Sequence, residues 1–176
     1  MFEPIRNRLR LWHLRHVARR RLSMLDDRLL ADIAEKVGPD YLQAHGNESP
    51  ARIAEIAERF AMAPIKAIKV KGAEDIDRAE AFSRGAAFLL FDAAAEMLPN
   101  ALPGGNGVSF DWTLLRGRGF DKGFMLSGGL SPDNVAEAIR VTGAAMVDVS
   151  SGVESTPGIK DKSLIRNFIE AARSAG

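Results

Sequence analysis

From residue 39 onward the sequence repeats one pattern, in which a short apolar segment, a polar or glycine-containing loop and an amphipathic segment follow one another. This alternation is typical of α/β proteins built from parallel strands. The uninterrupted apolar run at 87–91 ends at Asp92 and is typical of a strand buried on both faces. Strands are predicted at 41–44, 64–70, 87–91, 124–126 and 145–149. We therefore expect five parallel strand–helix units.

The segments between these strands have helical spacing. Pro50 is expected in the first turn of a helix that carries Ile53, Ile56 and Phe60 on one side. Further helices are predicted at 74–83, 131–141 and 163–175. Each follows a strand, so the helices are expected to cover the sheet.

The composition excludes several classes of protein. Of the 176 residues, 46% are hydrophobic and 27% are charged, which is ordinary for a globular domain. There is no cysteine, so disulfides, thiolate metal sites and cysteine nucleophiles are excluded. No apolar window reaches the length of a transmembrane span. These features predict a cytoplasmic protein.

The beginning of the chain has a different character. Between Arg6 and Arg21 the sequence has seven arginines and no acidic residue, and its apolar residues recur at helical spacing. A second short helix is predicted after a cap at Ser23 and ends near Gly38. The basic helix is interpreted as a solvated face, a surface for nucleic acid or anionic membrane, or a transit peptide.

Polar residues follow the predicted strands. His45 and Asp92 come directly after strands, as do the loops at 104–107, 127–129 and 150–152. Since parallel strands end at one edge of a sheet, we expect a ligand site there. The alternatives are that the glycines serve tight turns, that Asp92 caps a helix and that His45 is structural.

The last two of these loops favour an anion. Serine hydroxyls and glycine N–H groups near helix N-termini form a cradle that suits phosphate. In eight-stranded barrels the phosphate site frequently lies in the loops after strands seven and eight. The sequence therefore predicts phosphate binding by the loops at 127–129 and 150–152.

Five motifs taken together resemble the phosphoribosylanthranilate isomerase family over about residues 39–176. They are LQAHG at 42–46, LLFD at 89–92, PGGNG with FDW at 103–112, LSGGL at 126–130 and DVSSGVE at 148–154. The PGIKD sequence at 157–161 continues the resemblance. Residues 5–37 resemble very small arginine-rich bacterial proteins. The predicted organisation is thus an arginine-rich helical extension at 1–38 and a partial TIM-barrel domain at 39–176.

The resemblance implies an incomplete (β/α)8 barrel holding strands four to eight. It also implies an Amadori rearrangement of N-(5′-phosphoribosyl)anthranilate in tryptophan biosynthesis, without a cofactor or a metal. Asp92 would be the general acid that protonates the furanose oxygen. The phosphate would be held by Gly128, Gly129, Ser150, Ser151 and Gly152. The substrate pocket would include His45, Gly105, Asn106, Gly107 and Asp148.

The sequence also departs from the family. The resemblance begins at the family's fourth strand, and the family's general base, a cysteine after the first strand, has no counterpart here. We therefore expect impaired catalysis. The alternatives are a non-catalytic sugar-phosphate-binding remnant, or nucleic-acid or partner binding through the basic helices. The open edges of a partial barrel predict coverage by those helices, by a homodimer or by a complementing barrel fragment. A flavodoxin-like open sheet with helices on both faces is the fourth alternative.

Overall fold

The structure is a computed structural model of the chain and describes residues 27–60, 62–94 and 109–175. The basic segment from Arg6 to Arg21, with its predicted nucleic-acid contacts, and the predicted cap at Ser23 lie outside these ranges. The glycine loop at 104–107 also lies outside them. The predicted boundary between residues 38 and 39 stays a prediction.

Strands and helices alternate along the described chain. The α-helices are α1 (Asp27–Val37), α2 (Pro50–Phe60), α3 (Ala73–Ala79), α4 (Val135–Thr142) and α5 (Lys162–Arg173). The strands are β1 (Tyr41–Ala44), β2 (Ala63–Val70), β3 (Phe88–Ala93), β4 (Phe124–Leu126), β5 (Met146–Val147), β6 (Glu154–Thr156) and β7 (Ile159–Lys160). Short 3-10 helices span Glu80–Phe82, Trp112–Leu115 and Ser151–Val153.

The strands β1 to β5 form one sheet in which the strand order follows the chain order. The pairs β1–β2, β3–β4 and β4–β5 are parallel. Leu89 pairs with Phe124, and Met125 pairs with Met146. The predicted α/β fold with five parallel strands is confirmed.

Some strand boundaries agree with the predicted residues and others differ from them. β1 and β4 begin and end at the predicted residues, whereas β3 runs on to Ala93 and so contains Asp92. β5 has two residues, although five were predicted at 145–149. The amide of Asp148 still donates to the Leu126 carbonyl at 2.9 Å, so β5 continues by one hydrogen bond before the chain turns away.

The β6–β7 hairpin was not predicted. It is antiparallel and lies between the loop after β5 and the final helix. Its strands have three and two residues, which is too short for hydrophobic alternation to be recognised in a sequence. The final helix then begins at Lys162, where Asp161 accepts hydrogen bonds from the amides of Ser163 and Leu164.

The described chain divides into two compact units, and the first comprises residues up to Lys66 together with Arg84–Ala86. Its core consists of Leu30, Leu42, Ile56, Phe60 and Met62. The Asp27 carboxylate on α1 accepts hydrogen bonds from Arg52 and Arg59 on α2. The hydrogen bond from Arg52 is the main reason that the pKa of Asp27 lies below its ordinary value.

A buried ion pair fixes the loop that follows β1. The Lys66 ammonium donates to the Gly46 carbonyl at 2.6 Å and to Glu48 Oε2 at 2.9 Å, and only 4% of the Lys66 side chain is exposed. Burial acts to raise the pKa of Glu48. The hydrogen bond from Lys66 and the backbone hydrogen bonds outweigh it, so this pKa lies below its ordinary value.

The second unit comprises Ala67–Ser83 and the chain from Ala87 onward. The rings of Phe91, Phe120 and Phe124 pack together, with centroids 5.3 to 5.7 Å apart. Leu115, Leu126 and Val135 are fully buried in the same unit. Among the described helices, none is long and apolar enough to cross a membrane.

We expect Lys66→Met and Glu48→Gln each to lower the free energy of unfolding by about 3 kcal/mol, because each leaves a buried group without its charged partner. The double variant should lose less than the sum of the two losses. In the wild-type protein, the contribution of Glu48 to the free energy of unfolding should be fully present above the ordinary pKa of a glutamate. It should be lost as the pH falls through the lowered pKa that Glu48 has in the folded state.

Urea unfolding measured between about pH 7 and pH 3 tests this expectation. Additive losses in the double variant would contradict it. A pH dependence of the free energy of unfolding that is the same in the wild-type protein and in Glu48→Gln would also contradict it.

Candidate active site

Three polar side chains come together where β3, β4 and β5 end. Asp92 lies near the end of β3, Ser127 directly follows β4 and Asp148 directly follows β5. The amide of Ser127 donates to the Phe91 carbonyl at 2.7 Å, and the Ser127 hydroxyl lies 3.2 Å from Asp148 Oδ2. The parallel ladder thus brings residues far apart in the sequence to one edge of the sheet.

Gly128 packs directly against the Asp92 segment. A Cβ atom at this position would overlap the backbone nitrogen of Ala93 and would lie 3.0 Å from Asp92 Oδ1. The φ of Gly128 is +89°, in the region that side-chain-bearing residues rarely adopt. Glycine is therefore required here, and its missing side chain makes room for the Asp92 carboxylate.

The loops after β4 and β5 also meet at a glycine. A Cβ atom at Gly152 would overlap the carbonyl oxygen of Leu130 and would lie 3.1 Å from the Cα of Ser131. Only glycine allows this approach. The structure therefore brings together the two loops that the sequence predicts to bind phosphate.

Asn134 holds the loop after β4 in place. Its side-chain amide donates to the Gly129 carbonyl at 2.9 Å, and its carbonyl oxygen accepts from the Ser131 amide at 2.8 Å. Gly129 has a φ of +65°, so two successive glycines are left-handed. Turns with left-handed residues can direct successive N–H groups into an anion-binding concavity.

A lysine contacts the other loop. Lys160 Nζ on β7 donates to the Ser150 carbonyl and to Glu154 Oε1, both at 2.6 Å, and lies 3.4 Å from the Ser150 hydroxyl. The 3-10 helix Ser151–Val153 begins directly after Ser150. This arrangement differs from the predicted helix N-terminus, because the hairpin intervenes between the loop and α5.

The FDW motif has a structural role in the described chain. The Asp111 carboxylate accepts from the amide and the hydroxyl of Thr113 at 2.9 and 2.7 Å and caps the 3-10 helix at Trp112–Leu115. The hydrogen bond from the Thr113 side chain is the main cause that lowers the pKa of Asp111. The 3-10 helix in turn packs against α4.

Two predicted parts of the pocket are not tested by this arrangement. His45 directly follows β1 and belongs to the first compact unit. Gly105, Asn106 and Gly107 lie outside the described ranges. The roles predicted for these four residues stay predictions.

The sequence predicts no site role for Asn134, Lys160 and Glu154, and it predicts Ser127 only as part of the first phosphate loop. Ser127 lies inside the LSGGL motif, and Glu154 and Lys160 flank the Pro157–Gly158 turn with opposite charges. These signals are present in the sequence. Which carboxylate or carbonyl each residue contacts depends on the pairing of strands.

The arrangement combines a carboxylate with two glycine- and serine-containing loops. Asp92 can exchange a proton with a bound molecule, and the loops at 128–130 and 150–152 can present backbone N–H groups and the hydroxyls of Ser150 and Ser151 to an anion. No group of three or more histidine, aspartate or glutamate side chains that could hold a metal lies within the described ranges.

Comparisons with known proteins identify the family. A family model described as N-(5′-phosphoribosyl)anthranilate (PRA) isomerase matches residues 26–171. The isomerase of Rhodopseudomonas palustris is 53% identical over 149 residues, which are 85% of this chain and 68% of the relative. That of Rhodospirillum centenum is 50% identical over 147 residues, which are 84% of this chain and 69% of the relative.

Solved structures of the same enzyme share the fold. The crystal structure of phosphoribosyl anthranilate isomerase from Thermotoga maritima superposes with a TM-score of 0.71 at 34% identity, covering 86% of this chain and 70% of that chain. The five parallel strand–helix units thus correspond to part of a TIM-barrel-like fold. By sequence and by structure, the chain belongs to the N-(5′-phosphoribosyl)anthranilate isomerase family.

Proposed function

We propose that this chain binds N-(5′-phosphoribosyl)anthranilate through its phosphate and that Asp92 protonates the furanose oxygen. The observation that carries the proposal is the close approach of Gly128 to the Asp92 carboxylate. The general acid and the first phosphate loop are therefore direct neighbours. A substrate whose phosphate is held by this loop would extend its sugar toward Asp92.

The phosphate assignment is supported by the two joined loops. Gly128 and Gly129 supply left-handed turns, and Ser150, Ser151 and Gly152 supply hydroxyls and N–H groups from the other side. A solved relative with 32% identity and a TM-score of 0.64 is complexed with reduced 1-(o-carboxyphenylamino)-1-deoxyribulose 5-phosphate. That compound contains the phosphate and the carboxyphenylamino group that the proposed site must accommodate.

The rearrangement needs two proton transfers before a final tautomerisation. Protonation of the ring oxygen by Asp92 allows the amine nitrogen to expel it, so that the ring opens and a protonated imine forms. A base then removes the proton from C2 to give the neutral enolamine, which gains a proton at C1 and loses the proton of its C2 hydroxyl to become the aminoketose. Asp148 would line the pocket at the end of β5, where Ser127 contacts its carboxylate.

The removal of the proton from C2 restricts what can be proposed for this chain alone. The family's cysteine base has no equivalent, because this sequence contains no cysteine. A missing general base lowers a rate by about 10²- to 10⁴-fold. We therefore propose that the 176-residue polypeptide alone catalyses slowly, or acts only as a sugar-phosphate-binding protein. A cytoplasmic location is proposed on the basis of the family's place in tryptophan biosynthesis.

The edge of the sheet at β5 supports a complementing partner. β5 is the last strand in the order. An apolar groove of about 340 Å³ lies beside it, lined by Ile139, Met146, Val147, Phe168, Ile169 and Ala172 among others. Ile169 is 44% exposed. A strand–helix element from another polypeptide would extend the ladder and fill this groove; a homodimer is the alternative outcome.

We expect Asp92→Asn to reduce any isomerase turnover by at least about 10²-fold, because an amide cannot donate the proton. Affinity for inorganic phosphate should change by less than about twofold. Turnover is followed by the loss of fluorescence of freshly generated substrate, and phosphate affinity by calorimetry.

Asp121→Asn is the matched control for this experiment, since Asp121 is exposed and precedes β4 at the opposite end of that strand. It should leave both quantities unchanged. Turnover that survives Asp92→Asn would show that another group is the acid.

We expect Gly129→Asp to weaken binding of ribose 5-phosphate by more than about tenfold, because a carboxylate at the loop repels the anion. Gly129→Asn is the matched control. It brings a side chain of the same size and the same left-handed strain without the charge. Equal affinities of the two variants, measured by calorimetry, would place the phosphate elsewhere.

We expect the chain alone to isomerise at least about 10²-fold more slowly than the Rhodospirillum centenum relative under the same assay. Adding the N-terminal third of that relative should raise the rate, because it supplies strand–helix units for the β5 edge. An equal rate without the added fragment would contradict the proposed impairment. Sedimentation of the chain alone would identify a homodimer.

A further inference from the structure

Lys160 is a cation that contacts the second of the proposed phosphate loops. Its ammonium contacts the Ser150 carbonyl, the Ser150 hydroxyl and the Glu154 carboxylate. The side chain is 27% exposed and that of Glu154 is 14% exposed, so water screens their interaction only partly. Neither the sequence motifs nor the proposed mechanism assigns a role to this lysine.

The hairpin that contains Lys160 is itself held at both ends. Glu154 pairs with Lys160 across β6 and β7, and Glu154 Oε2 accepts from the Gly158 amide at 2.9 Å. Beyond β7, the Asp161 amide donates to the Val153 carbonyl at 2.9 Å. Lys160 therefore contacts Ser150 from a fixed position.

The contact with the Ser150 carbonyl has a geometric consequence. In a trans peptide the C=O and the following N–H lie in one plane and point in opposite directions. When the ammonium holds the Ser150 carbonyl, it also fixes the direction of the Ser151 N–H, which points away from the lysine. One residue further on, the contact of Gly152 with Leu130 restrains the next part of the loop.

The positive charge of the Lys160 ammonium is balanced by the neighbouring Glu154 carboxylate. Glu154 is 2.6 Å from the ammonium, so the pair contributes little net charge to an anion nearby. An effect of Lys160 on phosphate binding would therefore arise from the orientation of the loop rather than from attraction at a distance.

We propose that Lys160 is a positioning residue for phosphate binding: it fixes the Ser150–Ser151 peptide so that the Ser151 N–H is directed at the phosphate. This inference rests on the proposed function for its ligand. The fixing of the peptide by Lys160 can be measured without any ligand.

The test compares the full chain with four variants of it. Lys160→Met combined with Glu154→Gln removes the ammonium together with the carboxylate charge that faces it. Lys160→Arg keeps a cation that can donate to the Ser150 carbonyl, and Glu154→Gln alone keeps the lysine contact. Lys162→Met removes an exposed positive charge two residues away and is the control for charge alone.

In the double variant, amide exchange at Val153, whose N–H donates to the Ser150 carbonyl at 3.4 Å, should accelerate by about tenfold. The Kd for inorganic phosphate should rise by about tenfold, as expected for the loss of a charged hydrogen bond. Lys160→Arg should retain most of the affinity. Lys162→Met should change the Kd by less than about threefold. Glu154→Gln should not raise the Kd, because Lys160 and its contact with Ser150 remain. Thermal unfolding of all variants shows whether the fold is kept.

Unchanged exchange at the Val153 amide in the double variant would overturn the inference, whether or not phosphate binds. Faster exchange with an unchanged Kd would overturn the role of Lys160 in binding. An equal loss of affinity in Lys162→Met would also overturn it, because charge alone would then explain the effect. If the wild-type chain binds no inorganic phosphate, the proposed function fails, and the exchange measurement still decides whether Lys160 holds the loop.

Discussion

The candidate site depends on two places where backbone approaches backbone too closely for any side chain. At Gly128 the loop after β4 lies against Asp92 and Ala93, and at Gly152 the loop after β5 lies against Leu130 and Ser131. Interiors are packed densely enough that one methyl group cannot be added at such points without moving the chain. These two contacts join three strand ends into one site. The proposed acid and the proposed phosphate loops owe their proximity to them.

In each of the two compact units, a lysine paired with a glutamate fixes the loop that follows a strand. Lys66 binds the Gly46 carbonyl and Glu48, and Lys160 binds the Ser150 carbonyl and Glu154. In both cases an ammonium holds a loop carbonyl shortly after a strand, while a glutamate compensates its charge. Buried ion pairs add little net stability, but they lose much when one partner is removed. Their effect here is to fix the conformation of loops that carry polar residues.

The strands were predicted well where the apolar run was long or clearly bounded. The run before Asp92 has three consecutive buried residues, Leu89, Leu90 and Phe91, as is typical of a strand covered on both faces. β5 was predicted too long, because Val149 continues the apolar pattern although the chain has already left the ladder. The hairpin of β6 and β7 was missed because strands of two or three residues have no recognisable period.

The sequence by itself determined the α/β class, the five strand–helix units and the family, because apolar runs and loop motifs are local properties. It also placed Asp92, Asp148 and the glycine–serine loops at strand ends. Only the tertiary structure decided that Gly128 makes room for Asp92, that Ser127 contacts Asp148 and that Lys160 holds Ser150. The first two contacts join residues far apart in the chain, and the third depends on the unpredicted hairpin. Their distances follow from strand register and loop packing, which no local pattern encodes.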